Sequence, residues 1–292
     1  MSRLSTGIPK FDDLLGGGLL AGRLTVVVGA TGIGKTQLGV QFAQAGQSQE
    51  GKPGIIFDMT ARGDSQSHAE YAQRMFDWRL TPASAGTQPA LEDFFMPDRS
   101  HGDFLHVFDR RGKRVTRNDL DFDAWHEWRG ELNARLNATV AFFYGNFVQG
   151  VRRAVIDGVE PAVGRPSDSI QLELFEYVYH QILRKESEWV ARDLFRERYR
   201  QYAEAIAQTK YEHEQIGCML LCTSAETMLE ELIRRPLDEG DVLANANTII
   251  QLGKITEGGK IRRALHIAKH RGSAASDEIV PYTITDQGLQ LA

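Results

Sequence analysis

The chain has 292 residues, a length that suits one large domain or two small ones, and 42% of them are apolar, so global disorder is not expected. A net charge of −5 argues against a general binder of nucleic acid or anionic membrane and leaves only a local basic patch for such a role. No signal-like segment precedes the first apolar run and no stretch is long enough to span a bilayer, so a soluble cytoplasmic protein is expected.

In chain order, Ser5 to Leu19 reads as a short helix closed by Gly16-Gly17-Gly18. The run Leu24-Thr25-Val26-Val27-Val28 reads as a strand, and Gln37 to Ala43 as the start of a helix. Between them stands Gly29-Ala30-Thr31-Gly32-Ile33-Gly34-Lys35-Thr36, the full G-x-x-x-x-G-K-[ST] phosphate-binding pattern in its required strand–loop–helix setting. Gly29, Gly32 and Gly34 let the backbone turn its N–H groups inward, toward phosphate oxygens at the helix N-terminus. Lys35 is placed to reach the outer phosphates, and the Thr36 hydroxyl to bind Mg²⁺.

Gly54 to Asp58 is the second strand expected, followed by a helix around 66–78 and a surface loop at 81–88. Phe104 to Phe108 reads as a third strand, with a turn at Arg111-Gly112 and a short return strand Lys113-Arg114-Val115. Trp125 to Gln149 has helical spacing, and Arg153 to Asp157 is an apolar strand ending in an acid. From Ser167 to Ile216 there is no Gly or Pro and the apolar period is helical, which predicts two or more helices with Asp168 as a cap.

Gly217 to Cys222 is the next strand; Cys218 and Cys222 lie on one face of it, too far apart to bridge, and read as reduced core residues. The tail turns to β at 248–253, 262–269 and 279–285, with Glu257-Gly258-Gly259-Lys260 as the turn between the first two. The pattern predicts an α/β fold: a mainly parallel sheet flanked by helices, C-terminal antiparallel strands and an inserted helical region.

A phosphate loop needs a second acid beside the Mg²⁺ water shell. Asp157, emerging at the carboxyl edge of its strand, is the candidate, and it could equally be an ordinary acid before the turn at Gly158. Hydrolysis also needs a group that orients water; Asp58 and Glu160 are the weaker candidates. Lys269 and Arg271 stand at the end of a late strand on alternating positions, where they are read either as a solvated edge or as phosphate contacts, within the chain or across a subunit boundary. His270 reads as a surface residue. The basic run Arg110, Arg111, Lys113, Arg114 and Arg117 is interleaved with acids and reads as solvated surface rather than a DNA site. His101, Asp103, His106 and Asp109 match no compact metal-ligand spacing.

Several segments together resemble the KaiC-like branch of the RecA superfamily, as a single-domain member over residues 1–292. They are Ser5-Thr6-Gly7-Ile8-Pro9 through Leu19, the phosphate loop, Arg153 to Asp157, and Leu220 to Glu226. The most selective are Glu257-Gly258-Gly259-Lys260-Ile261-Arg262-Arg263, Lys269-His270-Arg271-Gly272 and Pro281 to Gly288. The resemblance implies a RecA-like P-loop NTPase core that binds ATP and Mg²⁺ and assembles as a homo-oligomer, commonly a hexameric ring, with ATP between subunits. By the same resemblance Lys269 and Arg271 become contacts to the neighbouring subunit's γ-phosphate.

The chain departs from that pattern in three places. Thr60-Ala61 stand where the family carries paired glutamates, one of them catalytic. Ala275 and Asp277 replace a His and a Lys near the nucleotide. The segments near 95–150 and 167–216 diverge and are expected to form a lid, an interface or a partner surface. Three functions follow as expectations: a slow Mg-dependent ATPase acting as a ring-forming regulatory module with an unidentified protein partner, a nucleotide-binding scaffold with little hydrolysis, or a DNA-dependent recombination-type ATPase.

Overall fold

The computed structural model describes residues 2–60, 68–83, 90–97, 99–107, 121–159, 170–235 and 245–291. Several expectations fall outside them: the return strand and basic run at 110–117, the cap at Asp168, and Ala61, Asp109 and Glu160.

A two-stranded ribbon opens the chain, β1 (Arg3–Leu4) with β2 (Leu19–Leu20), around the short helix α1 (Pro9–Leu14). Proline occupies the first turn of α1, where its missing N–H costs nothing. The body is one sheet of nine strands among the described residues, in the order β11-β10-β9-β8-β3-β7-β6-β4-β5. These strands are β3 (Leu24–Gly29), β4 (Ile55–Asp58), β5 (Phe104–His106), β6 (Arg153–Val159), β7 (Gly217–Thr223), β8 (Thr248–Glu257), β9 (Lys260–His270), β10 (Val280–Thr285) and β11 (Gly288–Leu291). From β8 to β5 every neighbouring pair is parallel; β8, β9, β10 and β11 then pair antiparallel. The expected mainly parallel α/β sheet with an antiparallel C-terminal addition is therefore present.

Alternation along the central strands loads both faces. Leu24, Val26 and Val28 enter one core and Val27 the other; Ala154 and Ile156 divide from Val155 in the same way. Helices α2 (Lys35–Gln49) and α3 (His68–Phe76) pack on the face of Val27. The opposite face is covered by α4 (Phe122–Val148), α5 (Ile170–Val178), α6 (Ser187–Phe195) and α7 (Tyr199–Gln208). Helices α5 to α7 form the expected helical stretch at 167–216, and Phe94, Tyr144, Phe195 and Tyr211 stack edge to face within this layer, whereas Trp189 of α6 is exposed. Cys218 and Cys222 share that face with Leu220, while Met219 and Leu221 take the other, and burial pushes the Cys218 thiol up.

The helical stretch breaks where periodicity is silent. A π-helical turn follows α5 at Tyr179–Leu183, and Arg196 after α6 takes φ 47°, a conformation rare outside glycine. Short elements with little apolar pattern also escape the sequence: the 3₁₀ turn Leu91–Phe95, α8 (Leu229–Arg234) and β11. Among the described residues, no helix is long and apolar enough to cross a membrane.

Candidate functional site

Three elements meet at the carboxyl edge of the parallel sheet. β3 delivers Gly29 into the loop, and α2 begins at Lys35 with Gly34 before it at φ 112°. A side chain at Gly34 would also press on Ile284 Cδ1 at 2.9 Å, because β10 runs close beneath the loop. The Tyr282 hydroxyl donates to the Ile33 carbonyl at 2.6 Å, and Gln41 exchanges two hydrogen bonds with the Leu289 backbone, at 2.8 and 3.1 Å. The C-terminal hairpin β10–β11 thus braces both the loop and the first turns of α2.

Within the loop, the buried Lys35 ammonium donates to the carbonyls of Gly29 and Ala30, at 2.9 and 3.0 Å. The Ser224 N–H, just past β7, also donates to Gly29 O, so the polar segment Ser224–Glu226 lies against the loop. The Thr36 hydroxyl donates to Asp157 Oδ2 at 3.0 Å. A hydroxyl and a carboxylate are hard oxygen donors, the type Mg²⁺ takes, so these residues fit that cation.

Asp157 and Asp58 are register partners on adjacent strands β6 and β4, which brings both acids to one edge. β6 continues past Asp157 to Val159, with a register shift between those two residues. The cause is Gly158 at φ 104°: a Cβ there would sit 2.4 Å from Thr60 N and 2.5 Å from Met59 C. Gly158→Ala is expected to destabilise the fold by roughly 1–3 kcal/mol, since strain and collision act together; a denaturant midpoint equal to wild type would contradict it.

His68, the first residue of α3, is 3% exposed and lies between the two acids. Its Nε2 is 3.0 Å from Asp157 Oδ2 and its Nδ1 is 3.7 Å from Asp58 Oδ2. Burial opposes a charged imidazole. The hydrogen bond that His68 donates to Asp157 and the charges of Asp58 and Asp157 outweigh it and raise the His68 pKa above its usual value. Burial likewise opposes the Asp157 carboxylate. The His68 contact, the Lys35 charge and the Thr36 hydroxyl overcome that and hold its pKa below the usual range. His68 had no signal in the sequence, since one histidine opening a helix is unremarkable until the sheet register sets two carboxylates opposite it.

Asp58 is buried and accepts from the Thr60 N–H at 2.8 Å through Oδ1. Thr60 O is 2.9 Å from His106 Nε2, so the Thr60 backbone is pinned from both sides. His101 stacks on Phe94 instead, and Asp103 accepts from the Trp78 indole and the Thr81 N–H.

Lys269 and Arg271 are not brought to the loop of their own chain. β8 runs parallel to β3, and β9 returns antiparallel, so its end moves away from the loop edge. Lys269 pairs with Ile249, which is level with Val26, three residues before Gly29, or about 10 Å back along the strand. Both cations therefore lie toward the opposite edge of the sheet. Burial, and then the nearby Arg271 charge, lower the Lys269 pKa. His270 between them is half-buried rather than solvated, with Nδ1 2.8 Å from Thr248 Oγ1 and Nε2 3.1 Å from Leu15 O. Arg3 donates to Leu15 O, Gly18 O and Ser273 Oγ and anchors this turn to the opening segment.

Comparison with known proteins adds the following. Residues 4–106 match the family model described as "ATPase: KaiC". The chain is 28% identical, over an alignment of 294 residues, to the circadian clock oscillator protein KaiC of Synechococcus elongatus, covering 100% of this chain and 44% of that protein. It is thus similar to less than half the length of that relative. It is 25% identical over 290 residues to a UPF0273 protein of Thermotoga maritima, covering 99% of this chain and 95% of that one. A UPF0273 protein of Methanopyrus kandleri is 42% identical over 56 residues, 19% of this chain and 22% of the relative.

Proposed function

Because the chain is a KaiC-like member of the RecA superfamily, we propose that it binds ATP with Mg²⁺ at residues 29–36 and hydrolyses it slowly. In this reading it works as a ring-forming homo-oligomer in the cytoplasm, in one domain spanning 1–292. The observation that carries the reading is the mouth of the loop, where Lys35 donates to the Gly29 and Ala30 carbonyls and Thr36 donates to Asp157. Loop N–H groups and Lys35 take the phosphate oxygens, and Thr36 and Asp157 hold the cation. Bound Mg²⁺ would neutralise charge on the phosphates.

The position of Lys269 and Arg271 favours a shared site. Displaced to the far edge of their own sheet, they suit contacts to the γ-phosphate held by the next subunit, as an arginine finger supplied in trans. A head-to-tail interface of that kind closes into a ring when its rotation permits.

A second reading, a nucleotide-binding scaffold with little turnover, is favoured by Thr60. Where the family resemblance implies a catalytic carboxylate, this chain presents a residue whose backbone is fixed by Asp58 and His106. Asp58 and Glu160 remain the acids proposed for orienting water, Asp58 from a buried position.

Phosphate release by wild type and Lys35→Ala, with and without single-stranded DNA, tests these readings. Slow release by wild type and none above background by the variant is the expected result. Release equal to that of the variant under every condition would leave the scaffold. Stimulation by DNA would instead favour a recombination-type role, and mass measurement with and without ATP–Mg²⁺ reads the assembly.

A further inference from the structure

The cation site has a component that the loop, Thr36 and Asp157 do not account for. Asp157 Oδ2 accepts from two side chains at once, Thr36 Oγ1 and His68, each at 3.0 Å. The same imidazole turns its other nitrogen toward Asp58 Oδ2. Asp58 in turn is fixed by the Thr60 N–H. The result is a string, Thr60–Asp58–His68–Asp157–Thr36, buried at its three central residues and half-buried at both ends, running across β4 and β6 to the first turn of α2. His68 enters it from α3, which packs on α2. Phe104 lies against the ring at 5.6 Å between centroids and helps set its orientation.

We propose that His68 is a positioning residue for the cation site: its imidazole holds the Asp157 carboxylate toward Thr36 and ties it to Asp58, so that α3 sets the alignment on which Mg²⁺-dependent nucleotide binding depends. A carboxylate at a strand end can rotate about its own bond. Two donors on one oxygen select a single rotamer, in which Oδ1 would be left to serve the cation. The neighbouring residues Thr60-Ala61 supply no carboxylate to share this task. The alignment therefore comes from the helix rather than from the strand end. This inference rests on the reading of Asp157 as the acid beside Mg²⁺.

The test is calorimetric binding of the non-hydrolysable β,γ-imido analogue of ATP, with Mg²⁺ and with a chelator, to wild type, His68→Phe, His68→Gln and Asp157→Asn. Wild type is expected to bind the analogue more tightly with Mg²⁺. His68→Phe should lose about tenfold of that enhancement, the scale of a hydrogen bond to a charged group. Its binding in chelator should be unchanged. His68→Gln, whose amide nitrogen can stand where Nε2 stands, should keep most of the enhancement. A merely structural role would lower the melting temperature of His68→Phe without touching the ratio of the two affinities.

Full enhancement in His68→Phe, with the enhancement lost in Asp157→Asn, would overturn the inference and leave the Asp157 reading standing. Full enhancement in Asp157→Asn, or none in wild type, would overturn both. Should His68→Phe not fold, nitrogen resonances of the His68 ring in wild type decide. They must shift when Mg²⁺ is added to the analogue-bound protein, and an unmoved signal would overturn the inference.

Discussion

Arg153→Met is expected to lower the free energy of unfolding by about 3–5 kcal/mol, the cost of leaving a buried charge network without its cation. Arg153 is 0% exposed at the start of β6. Its Nε and Nη2 grip both oxygens of Glu50, at 2.7 and 2.9 Å, and Nη2 also donates to Gln49 Oε1. Its Nη1 donates to the carbonyls of Ser5 and Phe42, at 2.6 and 2.8 Å. The guanidinium lies over the Phe42 ring at 4.9 Å, which a flexible ammonium would not reproduce.

One side chain therefore joins the opening segment, the last turns of α2 and the strand that carries Asp157. Methionine fills similar space but removes the donors that Arg153 gives to the Glu50 carboxylate and to the two carbonyls. Glu50→Gln should cost less, because Arg153 keeps both carbonyls and Gln49. Urea denaturation of the two variants measures the difference, and a midpoint for Arg153→Met within error of wild type would show that the network is not stabilising.

Arg271→Ala is expected to lower ATP turnover about a thousandfold if the residue acts as an arginine finger from the neighbouring subunit. The register of β8 and β9 sends Arg271 away from its own loop, so the effect must appear in trans. Mixing separates the alternatives. A subunit carrying Lys35→Ala has a defective loop but intact cations; one carrying Arg271→Ala has the reverse. Each is expected to be inactive alone. Co-assembled at equal amounts, about a quarter of the interfaces would pair a sound loop with a sound Arg271, as random filling of a head-to-tail ring requires. Turnover in the mixture near that fraction of wild type supports the shared site. No recovery, with assembly confirmed by mass, would refute it.

Much of this architecture was legible beforehand for a local reason. The phosphate loop needs only eight consecutive residues between a strand and a helix, and residues 29–36 contain them all. The apolar runs of β3, β4, β6 and β7 and the glycine turn at 258–259 are likewise short-range signals. The break at Arg196 and the strand β11 were not legible, because one depends on packing among α6, α7 and α4 and the other on the docking of Leu289 against Gln41. His270 read as surface for the same reason: its partners Thr248 and Leu15 are 22 and 255 positions away.

The amino-acid sequence by itself determined that the chain builds a phosphate-loop α/β core with an acid late in an apolar strand and a β tail, since each of these is a pattern of near neighbours. Only the tertiary structure decided what surrounds the loop. Parallel pairing of β4 with β6 put Asp58 level with Asp157, and α3 folded back to set His68 between them. The antiparallel return of β9 carried Lys269 and Arg271 to the far edge of the sheet. Such placements depend on strand order and direction, which arise from contacts between segments far apart in the chain and leave no trace in local residue spacing.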